Sequence, residues 1–114
     1  MYLSIVHIKL SQTIDRAEVA KAFPKTAARY HDVPGLLRKY YTIGIDEHMT
    51  GGVFVWESLA DAKAGHADPA WRNIIKDKYG VEAQITYLEV PTFVDNEVPT
   101  IINNTVFTKN YVRT

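Results

Sequence analysis

The most strongly patterned stretch of the chain runs from Gly35 to Ser58, where two apolar, strand-like runs flank a polar loop. Leu36 to Ile43 is rich in aromatic and branched residues, and Val53 to Trp56 is wholly apolar. Gly44, Asp46, Glu47, Gly51 and Gly52 between them are turn formers, so the stretch predicts an antiparallel hairpin. A strand with one wet face alternates apolar and polar residues, whereas Val53, Phe54, Val55 and Trp56 are apolar on both faces. That strand has to be covered on both sides.

Tyr2 to Leu10 predicts a first strand, with Tyr2, Ser4, Val6, Ile8 and Leu10 on one face and Leu3, Ile5, His7 and Lys9 on the other. Asp15 with Glu18 three residues on matches a capping box, and Val19, Phe23, Ala27 and Tyr30 recur at helical spacing. A helix over Arg16 to Tyr30 follows, kinked or divided at Pro24, which removes a backbone hydrogen bond. After the hairpin, Ser58 with Asp61 caps a short helix from Leu59 to His66 that stops around Gly65. Asp68-Pro69 opens another, with an apolar stripe of Trp71, Ile74, Ile75 and Tyr79, and Gly80 closes it. Val81 to Val90 reads as a fourth strand ended by Pro91.

The order strand, helix, strand, strand, helix, strand gives an α+β fold class: a ferredoxin-like βαββαβ antiparallel sheet over residues 1–91 with both helices on one face. Two helices cover one face only, so the apolar residues on the other face of the first and third strands predict a homodimer packed sheet to sheet, although a heterologous partner also satisfies them. Residues 92–114 are expected to form an extended C-terminal arm lying on the partner subunit, the alternative being a disordered terminus.

Composition narrows the function classes. Thirteen basic and thirteen acidic residues give a formal net charge of zero, with no basic block and no cationic amphipathic helix, so neither nucleic acid nor a membrane surface is an expected partner. There are no cysteines, which removes disulfides, thiol nucleophiles and thiolate metal sites. Met1 runs straight into a strand pattern and no apolar run is long enough to span a bilayer, so the expectation is a cytoplasmic protein. The four histidines lack metal-ligand spacing and no glycine-rich phosphate loop is present, so neither metal nor cofactor is expected.

Pro34-Gly35-Leu36-Leu37-Arg38-Lys39, then Gly51-Gly52-Val53-Phe54-Val55-Trp56, then a short helix with Ala64-Gly65-His66, resembles the dimeric α+β barrel superfamily. Within it, the YdhR-like group of mono-oxygenases is the nearest match by this order of motifs. The resemblance covers roughly Leu3 to Val90, includes His7, and does not extend to the tail. It implies dimers whose sheets face each other, with a largely apolar cavity in each subunit. Members of the superfamily include cofactor-independent mono-oxygenases, haem-degrading enzymes, isomerases, dehydratases and non-catalytic binders, so the site has to decide.

The candidate residues follow from their chemistry. His7 is the sole imidazole of its strand and could serve as a base if its face lines the cavity, or be a hydrogen-bonded core histidine. Lys39 and Tyr41 share one face of the second strand and Arg38 and Tyr40 the other; alternation does not say which pair points inward, and the resemblance favours Lys39 and Tyr41. Phe54 and Trp56, the larger pair of their strand, are expected to reach into the cavity while Val53 and Val55 pack under the helices, with simple core packing as the alternative. His66 and Trp71 stand at the break between the short helices, where related proteins close the pocket; the alternative for His66 is a polar residue at a helix C-terminus. Haem degradation is disfavoured, because that branch rests on an asparagine in the first strand where this chain has His7. The resemblance implies a mono-oxygenase acting on a small or polycyclic phenol, with His7 or His66 as base and Lys39 or Tyr41 steadying the anion. The rivals are a non-catalytic dimeric binder of an aromatic or lipophilic metabolite, and an isomerase or dehydratase using the same histidine.

Overall fold

The computed structural model describes residues 1–97 in full and the backbone of residues 100–102 and 105–107. Four strands form one antiparallel sheet in the order β2-β3-β1-β4, from β1 (Tyr2–Lys9), β2 (Leu36–Ile43), β3 (Met49–Trp56) and β4 (Gln84–Glu89). Between them run α1 (Arg16–Thr26) with a 3-10 turn at Ala27–Tyr30, α2 (Leu59–Ala67) and α3 (Pro69–Tyr79). This is the ferredoxin-like α+β order that the pattern predicts, with β1 and β3 in the centre.

Local signals set most of the boundaries. Asp15 caps α1 by accepting from the Ala17 amide, while Glu18 pairs with Lys21 instead of reaching back. Pro24 lies inside α1, and the helix tightens into the 3-10 turn three residues later. Ser58 accepts from the Asp61 amide at the start of α2, and Asp68 with Pro69 opens α3. Gly80 closes α3 with φ of 74°, a left-handed conformation that favours glycine.

Three glycines depart from the roles the pattern predicts: Gly51 and Gly52 lie within β3, and Gly65 lies within α2. Gly51, read above as a turn former, lies within β3 opposite His7, where a side chain would stand 1.8 Å from the Val6 carbonyl oxygen. Gly65, read as a helix stop, sits inside α2, where a Cβ would stand 2.6 Å from the Trp56 ring. Both positions lack a side chain because another group already fills the space.

The core lies between the helices and one face of the sheet. Along β1, Ser4, Val6 and Ile8 are buried; along β3, Thr50, Gly52, Phe54 and Trp56 are buried, meeting Ala62 and His66 of α2 and Trp71 and Ile75 of α3. A bulge in β2 adds one residue: Leu36 pairs with Trp56 and Arg38 with Val55, leaving the exposed Leu37 as the extra position. Leu36, Lys39 and Tyr41 therefore all face the helix side, although simple alternation separates Leu36 from the other two.

The outer face carries the half-buried Leu3, Ile5, Val53 and Val55, with Tyr40 and Leu88 exposed at 49% and 43%. Beyond β4 the backbone is irregular to Glu97, and Thr100–Ile102 and Thr105–Phe107 pair with each other rather than with the main sheet. The rest of the expected arm, and its placement on a partner, lies outside the described residues.

Candidate active site

Two connected hollows open between the sheet and the helices. An aromatic cleft of about 510 Å³ is walled by Phe54, Trp56, His66 and Trp71, with Tyr30 and Leu36 at its side. A chamber of about 220 Å³ adjoins it, holding Lys39, Tyr41, Gly52, Lys78 and Tyr79. Arg29, Tyr30, Phe54, Trp71 and Ile74 line both. Gly52, on the helix-facing side of β3, leaves room beside the Lys39 stem and the Phe54 ring.

His66 is the polar centre of the aromatic cleft. It is 1% exposed, and its ring packs against Trp71, Phe54 and Trp56 at centroid distances of 4.5, 4.8 and 5.5 Å. Its Nε2 lies 2.6 Å from the Ser4 hydroxyl, which also accepts a hydrogen bond of 2.9 Å from the Trp56 indole. The Ser4 hydroxyl can donate to Nε2 or accept from it, so its rotation selects the imidazole tautomer. In either state Nδ1 is buried without a partner among the described residues, as donor in one and acceptor in the other. Burial, helped by the charges of Arg72 and Lys39, holds the imidazole pKa down at about 4, so the ring is neutral at pH 7. An unpartnered polar atom in such surroundings is costly unless a ligand or water meets it.

Lys39 dominates the second chamber. Its Nζ stands 3.4 Å from the centroid of Tyr30, 3.8 Å from that of Tyr41 and 4.9 Å from that of Phe54. Burial first, then the charges of Arg29 and Lys78, lower its pKa to about 7, while the ring faces favour the ammonium form and oppose that fall. Burial raises the Tyr30 and Tyr79 pKa values, so both phenols stay neutral beside it. Tyr41 is committed elsewhere: Thr26 donates to the Phe23 carbonyl, so the Tyr41 hydroxyl, 2.8 Å away, donates to Thr26.

The structure brings together His66, Trp71, Phe54, Trp56, Lys39 and Tyr41 of the expected residues and leaves out His7. His7 shares the parity of Leu3 and Ile5, so it is exposed on the outer face, in an open depression with Lys9, Glu47 and His48. Phe54 and Trp56 are large and inward-facing as expected, but the inward side is the helix side; Val53 and Val55, expected under the helices, face outward. Ser4, which sets the His66 tautomer, and Tyr30, which walls both hollows, were not singled out for chemistry. Tyr30 belonged to the helical stripe, whereas a serine in a strand carries no signal of its own.

No family model matches the chain, and no curated protein matches it. Solved structures do. A candidate antibiotic biosynthesis monooxygenase from Deinococcus radiodurans superposes with a TM-score of 0.64 at 15% identity, covering 83% of this chain and 97% of that one. The monooxygenase from ActVA-Orf6 of Streptomyces coelicolor, in complex with nanaomycin D, gives 0.64 at 16% identity over 82% and 89%. A variant of MhuD with two manganese protoporphyrin IX molecules bound per active site gives 0.65 at 21% identity over 83% and 99%. The chain has the ferredoxin-like α+β fold of these proteins. At these identities the likeness is one of fold, and the chemistry rests on the residues described above.

Proposed function

We propose that the chain is a cofactor-independent mono-oxygenase, near the YdhR-like group, that oxidises a small or polycyclic phenol in the aromatic cleft. The observation that carries this reading is the unpartnered Nδ1 of a neutral, buried His66 in a cleft walled by aromatic rings. Neighbours of the same fold include oxygenases, among them SnoaB from Streptomyces nogalater, a cofactor-independent oxygenase.

The phenol donates its proton to Nδ1, with His66 in the tautomer whose Nε2–H points to Ser4. The phenolate left behind then accepts a hydrogen bond from the same Nδ1–H. An imidazolium beside a phenolate is an ion pair, which offsets the burial that keeps the free ring neutral. The phenolate passes one electron to dioxygen, and the resulting radical and superoxide join at the ring carbon opposite the oxygen. Loss of water from that hydroperoxide, using the carbon-bound hydrogen and the transferred proton, gives a quinone. The sum is one phenol and one dioxygen to one quinone and one water, so the substrate supplies all the electrons. The aromatic walls exclude water from the radical pair. The outer sheet face, with Leu3, Ile5, Val53 and Val55, is proposed to pair with a second copy.

Oxygen uptake with a panel of electron-rich phenols tests this. The wild type should consume one dioxygen per quinone formed, His66→Gln should lose the activity, and His7→Ala should keep it. Ligand binding without oxygen uptake would instead support a non-catalytic binder. One second reading has a specific observation behind it: the same free Nδ1 could ligate the metal of a porphyrin, as a neighbour of this fold binds one. Haemin titration would then give a sharpened Soret band that His66→Gln removes.

A further inference from the structure

The second chamber holds a charge with nothing opposite it. Its walls include Arg29, Lys39 and Lys78, and among the described residues no carboxylate lines it. The acidic residues nearby, Asp32, Asp61 and Asp68, line the aromatic cleft instead, where Asp61 accepts from the Ser58 hydroxyl and Asp68 caps α3. Lys39 is half-buried with its ammonium against ring faces, which stabilise a cation only in part. A buried ammonium is normally matched by an anion, because the lost hydration is otherwise uncompensated. Tyr30 and Tyr79 stay neutral, and the Tyr41 hydroxyl already serves Thr26, so the surrounding phenols do not supply one.

The rest of the chamber says what kind of anion belongs there. Val6, Ile8, Phe23 and Ile75 make most of the remaining wall apolar, and the hydroxyls of Thr26 and Thr50 there already donate to the Phe23 and Thr42 carbonyls, which disfavours a small hydrated ion. Tyr30, Phe54, Trp71 and Ile74 continue from this chamber into the aromatic cleft, so one molecule can occupy both. We propose that the ligand is an aromatic carboxylic acid whose ring system lies in the His66 cleft and whose carboxylate is bound by Lys39, with Arg29 and Lys78 adding to the positive field. This rests on the aromatic-cleft reading above and adds the acidic group to it: the oxygen that reacts lies at His66, and the carboxylate that anchors lies across Phe54.

Calorimetric titration with 2-naphthoate and 2-naphthamide, which share a ring system and differ in charge, tests the assignment without any oxygen chemistry. At about pH 6, where Lys39 carries its proton, the acid should bind at least about tenfold more tightly, since a hydrogen bond to a charged group is worth roughly 1.5–3 kcal/mol. Lys39→Met should remove most of the acid's preference, the remainder coming from Arg29 and Lys78, while the amide still binds through its ring system, which also shows that the variant is folded. Lys39→Arg should keep the preference. Equal binding of both probes by the wild type, or an acid preference undiminished in Lys39→Met, would overturn the carboxylate site and leave the aromatic cleft standing. Failure of both probes to bind would overturn both readings.

Discussion

Acid should weaken this fold through His66, and the size of the effect follows from its surroundings. In the unfolded chain the imidazole takes up a proton below about pH 6.5. In the folded protein, buried among Trp71, Phe54 and Trp56 with Arg72 and Lys39 nearby, it does so only near pH 4. Between these values the unfolded state binds more protons, so stability falls as the pH falls. The contribution is complete above about pH 6.5 and levels off below about pH 4. At about 1.4 kcal/mol per pH unit the full loss approaches about 3 kcal/mol, of which about 2 kcal/mol falls between pH 7 and pH 5. Urea denaturation at those two pH values, on the wild type and on His66→Gln, isolates this part, because the other histidines and the carboxylates titrate in both proteins. Gln keeps a polar partner for Ser4 and cannot be protonated. The wild type should lose about 2 kcal/mol more than the variant over that interval. Equal losses, or a ring proton of His66 that titrates near pH 6.5 by NMR, would refute the assignment of a buried neutral imidazole.

Other perturbations probe the remaining structure. Ser4→Ala strands both the Trp56 indole N–H and His66 Nε2, and each buried group left unpaired costs about 1–3 kcal/mol, so the denaturation midpoint should drop well beyond that of an ordinary core serine. Gly65→Ala gains about 1 kcal/mol of helix propensity and loses about 1–3 kcal/mol to the clash with Trp56. The net should be destabilising, with a changed near-ultraviolet signal from Trp56; a more stable variant would mean that the ring moves aside freely. Ile5→Lys places a charge in the outer apolar face, so sedimentation should show the wild type near twice the 12.9 kDa chain mass and the variant near one. A monomeric wild type at micromolar concentration would remove the sheet-to-sheet pairing.

Much of the fold was legible because its signals are local. The Asp15, Ser58 and Asp68 caps and the Gly80 terminator act within a few residues, and each lies where its neighbours predict it. The glycines within β3 and α2 were not legible in the same way. A glycine that turns the chain and one that lets another group approach look alike in sequence, and only the Val6 carbonyl and the Trp56 ring tell them apart. The site shows the same limit. Alternation separates His7 from Ser4 correctly, but the side on which the helices pack is a tertiary fact, and it puts the conspicuous strand histidine outside and the quieter Ser4 inside. His66 was open to two readings because a helix terminus and a core both accept histidine. Its burial is decided by Trp56 and Trp71, ten residues before it and five after.

The bulge in β2 bears on how the chain could tolerate a change of length. Leu37 is the surplus residue, and deleting it would leave Leu36 opposite Trp56 and Lys39 opposite Phe54, with the strand now perfectly alternating. The aromatic cleft would keep its Leu36 wall and the neighbouring chamber its lysine, at the cost of local twist. A residue lost between Lys39 and Phe54 has no such slack: unless the hairpin loop absorbs it, one strand shifts by a single position and turns its inward side chains out. Leu37 is thus a place where evolution can edit the length of the strand without rewiring either hollow.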